Sequence, residues 1–162
     1  MSFAPVPMPQ PLKQSYIKLN SMVLEIWTDG SSLGNPGPGG WGVVMKFNGK
    51  TKEFSGCDPD TTNNRMELTA VVESLEVIGK TKYPVQLWSD SKYCVDSISK
   101  GWVFNWAKKP DFGGKKNEDL WRRFLAVHAD LDLTVSWVKG HNGQPENERC
   151  DYLATTAAKA QG

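Results

Sequence analysis

Four acidic residues sit where a sequence reading places the ends of strands and the starts of helices: Asp29, Glu67, Asp90 and Asp151. Each has a plain structural reading: Asp29 as a turn starter, Glu67 as an acid favourable to a helix dipole, Asp90 as an N-cap, Asp151 as an ordinary helical residue. Taken together they suggest chemistry. Four carboxylates at one mouth repel, and without a cation some of their pKa values would rise strongly. Oxygen-only ligands suit Mg²⁺ or Mn²⁺, and two such ions a few ångströms apart form a clamp for in-line displacement at phosphorus. One ion lowers the pKa of a water to make the nucleophile, and the other stabilises the leaving oxygen.

The elements that must position these acids follow from residue patterning. Leu24, Ile26 and Thr28 alternate with Val23, Glu25 and Trp27, the period of a strand that delivers Asp29 at its end. Residues 30–40 are too rich in Gly and Pro to continue it and are expected to form a turn. A second strand is predicted over 41–47, a hairpin turn at Asn48-Gly49-Lys50 and a third strand over 52–57, together an antiparallel meander. Asp60-Thr61-Thr62-Asn63-Asn64 supplies cap residues for a helix through Met66, Leu68, Val71, Val72, Leu75 and Ile78, with Glu67 in its first or second turn and Gly79 at its end. A fourth strand over 85–89 runs into Asp90, followed by a short helix through Tyr93, Val95 and Ile98. Further on come an amphipathic helix from Glu118 to His128, a fifth strand over 131–138, a loop at Gly140-His141-Asn142-Gly143, and a last helix opened by Pro145 that carries Asp151 in its first two turns. Strands alternating with helices after a meander imply a mixed sheet covered by helices. In such folds the carboxyl ends of the strands open into the ligand crevice.

A chain of 162 residues suits one domain with a substantial core. The formal charge of +1 gives no global sign of a nucleic-acid partner, so any basic surface must be local. One candidate is the stretch 101–117, where Trp102, Phe104, Trp106 and Phe112 interleave with Lys108, Lys109, Lys115 and Lys116. Cys57, Cys94 and Cys150 are odd in number and lack the spacing of a disulfide framework or zinc site, which fits a reducing cytoplasm. No apolar run reaches membrane-spanning length, and the first residues lack the features of a secretory signal. Residues 1–21, with Pro5, Pro7, Pro9 and Pro11, read as a flexible tail, and Met22 as a start site or the end of an extension; residues 22–162 then form the folded domain.

Six segments carry a resemblance. Thr28-Asp29-Gly30-Ser31, Gly34-Asn35-Pro36-Gly37-Pro38-Gly39-Gly40-Trp41-Gly42, Thr61-Thr62-Asn63-Asn64-Arg65-Met66-Glu67-Leu68, Ser89-Asp90-Ser91-Lys92-Tyr93, Trp137-Val138-Lys139-Gly140-His141 and Glu146-Asn147-Glu148-Arg149-Cys150-Asp151 resemble, in order and nearly in spacing, the signatures of bacterial type 1 ribonuclease H over about Leu24 to Ala160. The resemblance implies an α/β ribonuclease H-like fold: a five-stranded mixed sheet, three strands antiparallel and two further ones parallel, flanked by helices. It implies an endonuclease that hydrolyses the RNA strand of RNA/DNA hybrids with two Mg²⁺ ions, or Mn²⁺, leaving 5′-phosphate and 3′-hydroxyl ends. Asp29, Glu67, Asp90 and Asp151 match the family's metal-binding carboxylates, and His141 its loop histidine, associated with proton transfer or product release.

The same resemblance assigns substrate contacts to Asn35, Asn63 and Asn64, and to Ser32 where some members carry cysteine. The amides of residues 30–32 could approach the ribose; helix capping is the plainer role for Asn63 and Asn64, and the two roles are compatible. The stretch from Trp102 to Lys116 resembles the family's basic handle, with Trp102 and Trp106 in matching places and Lys108 and Lys109 on it, though shorter and less basic than its fullest form; Trp121 is assigned to the core. A monomer acting on an RNA/DNA hybrid, away from membranes, is expected. Two other readings are a catalytically inactive hybrid-binding module, which should have lost a carboxylate, and a metal-dependent nuclease or transferase acting on DNA, which should lack the Asn63-Asn64 signature and the handle.

Overall fold

Ile26 and Trp27 point to opposite sides of the first strand, and the two apolar clusters of the molecule grow from them. A computed structural model describes residues 22–161, so the proline-rich segment 1–21 lies outside the described residues. Strand β1 (Leu24–Ser32) is central in a five-stranded sheet of order β3-β2-β1-β4-β5. It pairs antiparallel with β2 (Gly37–Phe47), which pairs antiparallel with β3 (Lys50–Thr61). On its other side it pairs parallel with β4 (Val85–Ser89), which pairs parallel with β5 (Leu133–Trp137). This is the mixed sheet that the sequence predicts.

One face carries helices α1 (Asn63–Ile78), α2 (Lys92–Ser99), α3 (Trp102–Trp106) and α4 (Glu118–His128), whose Leu68, Val71, Leu75, Val95, Val103, Trp121 and Phe124 close over Ile26, Val43, Leu87 and Val135. Trp121 is fully buried, as assigned. Helix α5 (Pro145–Lys159) covers the other face, where Cys150 and Leu153 meet Trp27, Val44 and Trp88, the two indoles stacked with centroids 4.9 Å apart. The three cysteines are unpaired. Among the described residues no helix is long and apolar enough to cross a membrane.

The glycine-rich stretch departs from expectation. Instead of a turn over 30–40, β1 continues through Ser32 and β2 already begins at Gly37. The glycines are there for room. A Cβ on Gly40 would stand 2.3 Å from the carbonyl oxygen of Ala154, and one on Gly42 would stand 2.7 Å from that of Cys150, so the bare strand lets α5 lie directly on the sheet. The third strand also outruns its predicted end, reaching Thr61 past a register shift between Gly37 and Gly39, whereas β5 is shorter than 131–138. Between α3 and α4, Pro110–Gly114 forms a tight turn in which Asp111, Phe112 and Gly113 all have positive φ while Phe112 is completely buried.

The α5 packing gives a contrast between two glycines. Gly40→Ala should cost about 2 kcal/mol or more through overpacking against the helix backbone, whereas Gly49→Ala, open to space but at φ +79°, should cost only about 1 kcal/mol from conformation. Urea midpoints measure both, and an equal or smaller loss for Gly40→Ala would contradict the direct helix-on-strand contact.

Candidate active site

Thr62 caps α1, its side-chain oxygen accepting the N–H of Arg65 at 3.2 Å, and this sets Glu67 in the second turn, facing the end of β1. The approach is very close: a Cβ on Gly30 would fall 2.3 Å from the backbone nitrogen of Glu67. Asp29, one residue earlier, is 5% exposed, and its Oδ1 accepts the N–H of Gly30 at 2.8 Å. Asp90 follows the last residue of β4. Ser91, not Asp90, caps α2 by accepting from the N–H of Cys94 at 3.2 Å, so the capping role is taken and the Asp90 carboxylate is left for the site. Gly140 lies against it, a Cβ there standing 2.5 Å from Asp90 Oδ2.

Asp29, Glu67 and Asp90 each bring a carboxylate oxygen within 4.8 Å of the others. Burial, followed by the negative charge of Asp90, pushes the pKa of Asp29 up to about 7. Burial and the charges of Asp29 and Asp90 likewise hold Glu67 well above the ordinary carboxylate range. Glu67 Oε1 and Asp90 Oδ1 are buried with no hydrogen-bond partner. Two desolvated, unpaired oxygens among three mutually repelling acids are costly in isolation and are neutralised well by a hard divalent cation, so the donor set fits Mg²⁺ or Mn²⁺. Asp151 lies on α5 outside this group of three, though its charge also raises Asp29. His141 is exposed on the loop after Gly140, with φ +53°.

A cleft of about 660 Å³ opens at the start of α1, its walls including Asn35, Asn63, Asn64, Trp106, Lys115 and Lys116. Ser32, Asn35 and Asn63 form one network: the Ser32 N–H donates to Asn63 Oδ1 at 2.8 Å, the Asn63 N–H donates to Asn35 Oδ1 at 3.1 Å, and Ser32 Oγ donates to the carbonyl of Gly34. Asn64 is exposed. Trp106 is half-buried, edge-on to Trp121 and Phe112, with Lys115 Nζ 5.5 Å from its ring centre. Trp102 is 43% exposed beneath Lys100, while Lys108 and Lys109 are exposed but do not line the cleft.

Sequence reasoning missed Asn117 and Tyr93, which also line this cleft. Asn117 Nδ2 and Trp121 Nε1 both donate to the Tyr93 hydroxyl, at 3.0 and 2.9 Å, and Arg65 reaches Asn117 Oδ1 at 3.2 Å while gripping Asp119 with both terminal nitrogens. The one signal was an asparagine just before an acidic helix start, which reads equally as a cap; here it adopts φ +64° and makes no side-chain cap.

Residues 21–159 match the family model described as RNase H. Over 144 residues the chain is 49% identical to Ribonuclease H of Desulforamulus reducens, covering 86% of this chain and 90% of that one. The crystal structure of LC9-RNase H1, a type 1 RNase H with the type 2 active-site motif, superposes with a TM-score of 0.76 at 33% identity, over 86% of this chain and 74% of that chain. LC11-RNase H1 in complex with RNA/DNA hybrid superposes with a TM-score of 0.69 at 25% identity, over 86% of this chain and 99% of that chain.

The raised pKa of Asp29 makes metal-free stability depend on pH. The unfolded chain releases this proton near 3.8 and the folded protein only near 7. Across that interval the folded state binds more protons, so stability falls as pH rises from about 4 to about 7, and Glu67 acts in the same direction. Asp29→Asn should weaken this fall and stabilise metal-free protein at pH 8, by on the order of 1–3 kcal/mol. Added Mg²⁺ should stabilise the wild type more than the variant. Urea midpoints across pH measure both effects; a variant less stable than wild type without metal would contradict the account.

Proposed function

The chain belongs to the RNase H family, and from that premise we propose that it is an endonuclease hydrolysing the RNA strand of RNA/DNA hybrids, leaving 5′-phosphate and 3′-hydroxyl ends. The observation that carries the reading is the group of three carboxylates within 4.8 Å, in which Glu67 Oε1 and Asp90 Oδ1 are buried without a protein partner. The hybrid bound by LC11-RNase H1 supports the substrate class.

Asp29, Glu67 and Asp90 would hold the divalent cations, and Asp151 on α5, whose charge reaches Asp29, would join them. Two such ions, when bound, activate a water and stabilise the leaving 3′-oxygen. The chain's own groups do the positioning. The Gly30 N–H fixes Asp29 Oδ1, and Gly140, bare of a side chain, lies against Asp90. His141, exposed on its loop, moves protons between the reacting oxygens and solvent.

Choosing RNA in a hybrid requires sensing a 2′-hydroxyl on one strand and deoxyribose on the other. Asn35 and Asn63 give their side-chain carbonyls to backbone N–H groups, which leaves each amide NH₂ free to donate to the substrate. Ser32 holds the turn that presents them, and Asn64 lies exposed beside them. Lys115, Lys116 and Trp106 in the cleft, with Trp102, Lys108 and Lys109 beyond it, supply the counterion-releasing surface for the DNA strand. All four acids come from one chain, which fits a monomer, and the unpaired cysteines fit a cytoplasmic setting.

Cleavage of a labelled RNA strand tests the reading directly. Wild type with Mg²⁺ should cut RNA paired with DNA but leave RNA/RNA and DNA/DNA intact. Chelator or Asp29→Asn should reduce the rate by about a thousandfold or more. Binding of the hybrid without cutting under any divalent metal would leave only the binding-module reading. Separately, replacing Lys108, Lys109, Lys115 and Lys116 by Ala should make the salt dependence of hybrid binding shallower, by up to about 0.9 in log–log slope for each phosphate no longer neutralised; an unchanged slope would remove these lysines from the interface.

A further inference from the structure

The turn between β1 and β2 that carries Asn35 is tied down by a residue the proposed mechanism does not use. Gln161 lies just past the end of α5, and its Nε2 donates to two carbonyl oxygens at once, that of Gly39 on β2 at 2.7 Å and that of Asp58 on β3 at 2.9 Å. Gly39 and Asp58 face each other where the register of the two strands shifts, so that Pro59 and Asp60 together oppose Pro38. Neither proline has an N–H to give to the ladder. The side-chain amide of Gln161 thus brings donors to both strands at the one place where the prolines bring none.

Both arms of this joint lead to the groups that face the cleft. A Cβ on Gly39 would stand 2.4 Å from Thr61 Cγ2 and 2.8 Å from Met66 Cγ, so Gly39 packs directly against the start of α1. Beside it, the carbonyl of Pro38 accepts the N–H of Leu33 at 2.7 Å and closes the turn that contains Asn35. On the other arm, three residues beyond Asp58, the carbonyl of Thr61 accepts from Ser32 Oγ at 3.3 Å, and Thr62 caps the helix that opens with Asn63.

We infer that Gln161 is a positioning residue for substrate recognition: by clamping Gly39 to Asp58 it fixes the Asn35 turn against the start of α1, and so fixes where the amides of Asn35 and Asn63 meet the hybrid. The inference rests on the hybrid-hydrolase reading above. Gln161 acts through these groups and touches no substrate itself. Without the clamp the two arms move independently, and the amides must be ordered when the hybrid binds, which weakens affinity. Contacts that hold the substrate equally before and during the reaction act on KM and leave kcat alone.

Steady-state cleavage of a hybrid tests the clamp. Gln161→Glu keeps the shape of the side chain, removes both donors and sets a carboxylate against two carbonyl oxygens; Gln161→Ala removes the clamp without that repulsion. Either should raise KM about three- to tenfold with kcat within about a factor of two. Gln161→Arg, which retains paired donors, should recover most of the loss. Asn63→Ala takes away the network that the clamp serves, so in that background Gln161→Ala should add almost nothing, whereas replacing Lys115 and Lys116 by Ala should weaken binding as much in Gln161→Ala protein as in wild type. If wild type cuts the hybrid while both Gln161 variants keep its KM, lose kcat alone, or add their loss in full to that of Asn63→Ala, the inference is overturned and the hydrolase reading stands. If wild type cuts no hybrid, both fall.

Discussion

Everything at the centre of this molecule depends on how closely one helix start meets one strand end. At Gly30 the backbone of β1 passes so near the second turn of α1 that even a methyl group could not intervene. That contact carries Glu67 to Asp29, and β4 adds Asp90 from the neighbouring parallel strand. The cost is written into the acids themselves, since burial and mutual charge hold Asp29 and Glu67 far from ordinary carboxylate behaviour. The fold thus works against its own metal-free stability to keep an anionic pocket assembled, a common feature of sites built to hold cations.

The same device recurs on the opposite face. Gly40 and Gly42 let α5 rest on β2 backbone to backbone, and the helix is then pinned at its edges by the ion pairs Lys46–Glu146 and Arg149–Glu53. On the first face Arg123 bridges Glu73 and Glu76, and Arg65 clasps Asp119, locking α4 to α1. These pairs are largely exposed, so each contributes little energy; their role is to fix register, which the acids need more than strength.

Much of this was legible from residue order. Helix α4 has the bounds that its periodicity predicts, α5 opens at Pro145 as expected, and β4 ends where Val85, Leu87 and Ser89 stop alternating into Asp90. The glycine-rich stretch misled because glycine is read locally as a breaker, while here its meaning is tertiary: the missing side chains are space for a helix more than a hundred residues away. The left-handed turn at Asp111–Gly113 was equally invisible, since only the burial of Phe112 makes it favourable. At Asp90 two residues competed for one cap, and no pattern could say that Ser91 would win. Asn117 shows the converse, a cap type that serves the cleft instead.

The two faces are unequal in what lies behind them. The first is backed by a broad apolar cluster running from Ile26 to Phe124, the second by little more than Trp27, Val44 and Cys150 with Trp88 and Leu153 against them. Helix α5 is held instead by close approach, its backbone lying directly on β2 at Gly40 and Gly42. Asp151 rides on that contact, so how near its charge comes to Asp29 is set by the absent side chains of two glycines.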